Sequence, residues 1–230
     1  MSGALQAVFQ NQRSFGAPVP SGIGLAYGGG FYAGKIVQGG STYYLIVAPR
    51  ASGHSTSLAY KNDITAAPSA AQTLNNGPAA STAMNSGSYP AAQFCEGLSI
   101  GGFTDWYFPA RDELELCYRN LKPRTLDNST SGREKSAITY PEGNDVSGDT
   151  QGINRNSDPT GSAYTTSSPS RTTVVSFQLG EEEAFDADDY FCSTEFSTTN
   201  AWQMAFDIGR QSNTTKSTTR RVRACRRVKV

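Results

Sequence analysis

Apolar positions in this chain come in short runs separated by polar, glycine-rich stretches. Gly28-Gly29-Gly30-Phe31-Tyr32-Ala33-Gly34-Lys35-Ile36-Val37 and Ser41-Thr42-Tyr43-Tyr44-Leu45-Ile46-Val47-Ala48 are rich in β-branched and aromatic residues and flank Gly39-Gly40. Two glycines between two such runs predict a β-hairpin, because the central residues of a tight hairpin turn need positive φ. Helical signals follow. Residues 79–85 are alanine-rich behind Pro78, and residues 90–95 open on a proline suited to a first turn. Residues 110–120 carry Leu114 and Cys117 on one face, with Leu121 continuing it and Pro123 just beyond. The turn at Gly101-Gly102 leads into a predicted strand at 106–108. Residues 124–170 are rich in Ser, Thr, Asn, Gly and Asp and read as long loops, which inside a compact domain are usually functional. Residues 173–178 fit a strand or a short helix, and 190–196, 201–208 and 221–228 predict three antiparallel strands.

The first 26 residues differ from the rest. Leu5, Val8 and Phe9 recur at helical spacing, and the Pro/Gly stretch from 17 to 24 makes a stiff linker. The chain therefore divides into an N-terminal segment, 1–26, and a domain, 27–230. At 230 residues with 37% hydrophobic content it can bury a core. The abundance of Ser, Thr and Asn favours loops and short strands over long helices. Twenty basic and twenty acidic residues cancel, so no global field recruits nucleic acid. No apolar run reaches the length of a membrane span, and the N-terminus lacks the charged and apolar regions of a signal peptide.

Candidate chemistry is sparse. The triple glycine at 28–30 is not followed by the Lys-Ser/Thr of a phosphate loop. Four cysteines without C-x-x-C spacing and one histidine, His54, predict no zinc site, and nothing implies a cofactor. The acidic run 181–189 reads as a solvated face, and the basic run 220–229 as its partner or that of another protein. The loop Glu142-Gly143-Asn144-Asp145-Val146-Ser147-Gly148-Asp149 offers oxygen ligands but does not follow the EF-hand pattern.

Three phrases carry a resemblance: Gly101-Gly102-Phe103-Thr104-Asp105-Trp106-Tyr107-Phe108-Pro109-Ala110-Arg111-Asp112-Glu113-Leu114, Ser193-Thr194-Glu195-Phe196-Ser197-Thr198-Thr199-Asn200-Ala201-Trp202, and Val222-Arg223-Ala224-Cys225-Arg226-Arg227-Val228. Together they resemble the Lcl C-terminal domain family, which has a C-type-lectin-like fold and recurs in bacterial surface adhesins and phage virion proteins. The resemblance implies an α+β fold, a C-type-lectin-like domain with short antiparallel strands, two or three helices and long loops. The chain lacks the Glu-Pro-Asn and Trp-Asn-Asp motifs of calcium-dependent sugar binding. Residues 1–16 resemble a stretch shared by phage tail-associated proteins, which implies virion attachment through Leu5, Val8, Phe9, Arg13 and Phe15.

The implied function is that of a phage virion protein at a tail fibre or baseplate, an adhesin that recognises a host surface glycan or outer-membrane protein without chemistry. It would act as a homo-oligomer, with a trimer as one arrangement. The alternative is a head decoration or tail-stabilising protein. Trp106 and Trp202 fit the family's core anchors. The hairpin after Trp202, with Asp207, Gly209, Arg210, Gln211, Asn213 and Lys216, is the expected recognition surface. Cys192 with Cys225, and Cys95 with Cys117, are candidate disulfides, with buried free thiols the alternative. Formylglycine-generating enzymes share the fold distantly, but the reactive cysteine site they need is not apparent.

Overall fold

The computed structural model describes residues 19–143, 145 and 148–230. The expectations for Leu5, Val8, Phe9, Arg13 and Phe15 lie outside the described residues. The elements run in the order β1 (Ala26–Tyr27), β2 (Gly30–Gln38), β3 (Ser41–Val47), α1 (Arg50–Gly53), β4 (His54–Ala59), α2 (Gly77–Ala83), α3 (Pro90–Glu96), α4 (Arg111–Leu121), β5 (Ser157–Asp158), β6 (Asp189–Glu195), β7 (Asn200–Ala205), β8 (Gln211–Thr215), β9 (Thr219–Arg223) and β10 (Cys225–Lys229). This is a mixed α+β architecture, dominated by sheets and with few helices.

Two five-stranded sheets form its centre. One has the order β1-β2-β3-β10, with β5 also on β2; the other has the order β4-β9-β6-β7-β8. The β2–β3 hairpin turns at Gly39 and Gly40, whose φ values of 55° and 74° are the positive angles the sequence pattern demanded. The two sheets are joined where β9 and β10 form one strand interrupted at Ala224. Arg223 pairs with His54 on one side of the break and Cys225 with Val47 on the other. The turn α1 is looped out between β3 and β4. Ala48 N donates to Ala224 O at 2.9 Å, and Ala224 N donates to Gly53 O at 2.9 Å. Gly53 is needed there: a Cβ on it would lie 2.2 Å from the Cβ of Ala48.

Alternation along the strands supplies two cores. Leu45 and Val47 of β3, Tyr190 and Cys192 of β6, and Trp202 and Met204 of β7 face α4. Tyr44, Ile46 and Phe191 point the other way, onto the layer that contains α2, α3, Trp106 and Phe108. The sheets are thus covered on both faces, and Trp106 and Trp202 are both buried core residues.

Several sequence expectations need correction. The segment 106–108 is not a strand; only Tyr107 forms a bridge, to Cys225. The strand expected over 201–208 ends at Ala205, because residues 206–208 turn toward an unforeseen strand, β8. The segment 221–228 is two strands, and β6 meets β9 in parallel, through Tyr190 and Arg221, rather than antiparallel. Residues 173–178 contain a 3-10 turn, Val175–Phe177.

Candidate functional site

Helix α4 organises the long-loop region. Glu113, the third residue of its first turn, reaches back to accept from Ala110 N at 2.8 Å, so the helix start needs no polar side chain at Ala110. Leu114, Cys117, Tyr118 and Leu121 enter the core. The opposite, charged face is also buried, beneath residues 128–164. Arg111 lies 5.0 Å from the Trp202 ring centre and donates to Asp112 Oδ1 at 3.0 Å and Asp145 Oδ1 at 2.8 Å. Burial alone would lower its pKa, but Asp112 and Asp145 more than offset that and hold it raised. Glu115 accepts from Tyr164 Oη and from Asn154 Nδ2, both at 2.6 Å. Its pKa is raised by burial, with Arg119 pulling back. Arg133 donates to Ile153 O at 2.9 Å and to Gln211 Oε1 at 2.7 Å, and burial brings its guanidinium down to about 10. Described loop residues such as Asp145, Asn154 and Tyr164 thus meet ionic partners on the helix, away from water.

The predicted recognition residues divide. Arg210 is exposed, Asp207 is half-buried, and Asn213 bridges Asn200 and Glu134, with bonds of 2.7 Å to each. Gln211 and Lys216 do not belong to an exposed tip. Gln211 is 3% exposed and receives Arg133. Lys216 is fully buried, with its ammonium on Glu195 Oε1, on Thr65 O at 2.9 Å and on Thr198 O at 2.6 Å. Burying a lysine is costly unless it is paired and hydrogen-bonded, and Glu195 with two carbonyls meets that requirement.

The acidic run is only partly solvated. Glu181 and Glu182 are exposed, but Glu183 accepts from Arg223 at 2.6 Å, Asp186 accepts from Arg50 and from Arg221 at 2.9 Å, and Asp188 lies 2.5 Å from Arg221. Arg221 and Arg223 of the basic run are among its partners, whereas Arg226 pairs with Asp105 instead. His54 sits among these charges, 3.6 Å from Asp186 and 3.3 Å from Tyr190 Oη. Burial lowers its pKa to about 4, Asp186 opposes that, and Arg223, Arg50 and Arg221 add to it.

All four cysteines are buried free thiols. Neither anticipated pairing forms. The contact is instead between Cys117 and Cys225, whose sulfurs lie 4.0 Å apart across α4 and β10. Cys192 is directed at Trp202 O, 3.4 Å away, and burial pushes its thiol up to about 12, away from the reactive thiolate. In the candidate calcium loop, Asp145 and Asp149 are engaged by Arg111 and Arg155, and Glu142 by Leu74 N at 3.2 Å. Asn144, Val146 and Ser147 lie outside the described residues. Among the described residues no His, Cys, Asp and Glu group is arranged to hold a metal.

Sequence reasoning missed a cleft of about 290 Å³ at the β10 edge of the first sheet. Tyr43 of β3, Arg227 of β10, Pro78 and Thr82 of α2, Glu96 of α3 and Asp105 line it, with Trp106 and Tyr107 beneath. Arg227 stacks 4.4 Å from the Tyr43 ring centre and lies 3.7 Å from the buried carboxylate of Glu113. Asp105 holds Arg226 through two bonds of 2.8 and 2.9 Å. These groups come from five separated stretches of chain, so no local motif announced them. The phrase that contains Asp105, Trp106 and Tyr107 was the available signal. The chain matches no protein-family model, and no curated protein matches it.

Proposed function

We propose that this chain is a phage virion protein with a C-type-lectin-like domain of the Lcl C-terminal type, carried at a tail fibre or baseplate, where it recognises the host surface by non-covalent contacts. The observation that carries the reading is the convergence of the three phrases behind the resemblance. Tyr107 and Cys225 exchange backbone hydrogen bonds of 2.7 and 3.0 Å, Ser193 N donates to Pro109 O at 2.8 Å, and Arg111 N donates to Thr194 Oγ1 at 2.9 Å. Phrases separated by scores of residues thus form one packed unit with the long loops fixed on its surface, an arrangement suited to presenting contacts from a rigid scaffold. Residues 1–16 attach the protein to its particle, and the loops meet a glycan or an outer-membrane protein. Several copies, as in a homotrimer, convert weak contacts into firm adsorption.

Competition tests the reading. Purified full-length protein, incubated with host cells before the phage is added, is expected to bind the cells and to slow adsorption in a dose-dependent way. A protein that neither binds cells nor slows adsorption is a spacer or a decoration.

A further inference from the structure

We propose that the cleft beside β10 binds one neutral sugar ring. The inference rests on the host-recognition reading for its choice of a glycan, and on the cleft itself for the chemistry. At about 290 Å³ the cavity lies at the small end of ligand pockets, sized for a single ring rather than an extended chain. Its lining mixes three kinds of group. Half-buried Tyr43 and Pro78 supply apolar surface, Glu96 and Asp105 supply acceptors, and Arg227 and Thr82 supply donors.

The charges decide the class. Asp105 is matched by Arg226 through a two-pronged pair, and Arg227 lies between Glu113 and the Tyr43 ring. Asp105 is balanced by Arg226, and Glu96 sets a negative charge against the positive Arg227 in the same lining, so the cleft offers little net attraction to an ionic ligand. Asp105 retains lone pairs that can meet hydroxyls, while Arg227, which already donates to Asn75 O, Gln38 Oε1 and Asn76 Oδ1, offers only its remaining N–H groups. Glu96 accepts a long hydrogen bond from Thr82 Oγ1, 3.4 Å, and it stands half-buried at the cleft. A carboxylate in that state is an acceptor for two adjacent hydroxyl donors, and hydrogen bonds to charged groups are the stronger kind. A pyranose presents hydroxyls that donate and accept around its edge, and an apolar C–H face for Tyr43 and Pro78. The Glu96 carboxylate accepts from such a ring, and with Arg227 opposite in charge the lining does not select an ionic one. Beneath the cleft, Tyr107 Oη donates to Glu113 at 2.8 Å, so the floor is fixed before a ligand arrives.

The test uses the full-length protein and saturation-transfer difference NMR with the methyl glycosides of glucose, galactose, mannose and N-acetylglucosamine. At least one is expected to give a transfer signal. Glu96→Gln, which keeps the side-chain volume, is expected to weaken binding about tenfold, the effect of losing a hydrogen bond to a charged acceptor. Tyr43→Ala should abolish it while the circular dichroism spectrum stays unchanged. The proposal is overturned if none of the four sugars gives a signal, or if the signal persists undiminished in Glu96→Gln. Cell binding without any sugar signal sinks the cleft and leaves host recognition standing; a sugar signal in a protein that ignores host cells does the reverse.

Discussion

Glu113 and His54 pull stability in opposite directions over one span of pH. Glu113 is fully buried, and burial raises its carboxyl from an ordinary 4.5 to about 7, with Arg227 and the Ala110 and Tyr107 hydrogen bonds opposing. A raised acid contributes its full stability below 4.5 and loses it as pH rises toward 7. His54, lowered from 6.5 to about 4, contributes fully above 6.5 and loses it as pH falls toward 4. Each slope is at most about 1.4 kcal/mol per pH unit. Glu113→Gln should therefore leave a urea midpoint that climbs with pH across this window, and His54→Gln one that declines. Urea titrations of both variants at several pH values check this, and unchanged slopes in either would refute the assignment of that group. The same scale explains the misplacement of Lys216. Beside Thr215, Ser217 and Thr218 it looks like a surface residue. Its partner Glu195 lies 21 positions away, and no local pattern reveals that distant carboxylate.

Among the elements, those with apolar periodicity were legible. The hairpin of β2 and β3 and the helices α2, α3 and α4 stand within a few residues of where the sequence put them, because burial and punctuation by glycine or proline agreed there. Strands β4 and β8 were not legible. Their sequences, His-Ser-Thr-Ser-Leu-Ala and Gln-Ser-Asn-Thr-Thr, lack hydrophobic alternation, and each is an edge strand of the second sheet with part of its side chains facing water. The loops over α4 were read as loops, but their fixed geometry was hidden, since it depends on pairs such as Asn154 with Glu115. Asn154 is fully buried; its Nδ2 also donates to Asp112 O at 2.8 Å. Asn154→Ala leaves Glu115 short of a donor in a buried site, which costs about 1–3 kcal/mol. Hydrogen exchange in residues 150–164 should accelerate more than in β2 and β3. Uniform acceleration throughout the chain would show instead that the loop and the core open together.

At the scale of the molecule, equal numbers of acidic and basic residues carry more meaning than their cancellation. Much of the charge is spent inward: the acidic run on the basic run, Arg111 and Arg133 on the loops, Lys216 on Glu195. That leaves a core on each face of the sheets, a polar loop surface and the mixed cleft beside β10. The α+β class followed from the resemblance, whereas the cleft was not legible, because only the tertiary fold assembles it. On the proposed reading, this domain would be the outward-facing part of a virion protein and residues 1–16 its anchor. The most direct measurement is a cryo-electron-microscopy map of the phage particle. Density for residues 19–230 is expected at a tail fibre or baseplate, with the cleft and the loops over α4 facing solvent and the N-terminal segment against a neighbouring protein. Absence of the chain from the particle, or its tiling over the capsid or tail tube with those surfaces buried, would contradict that reading.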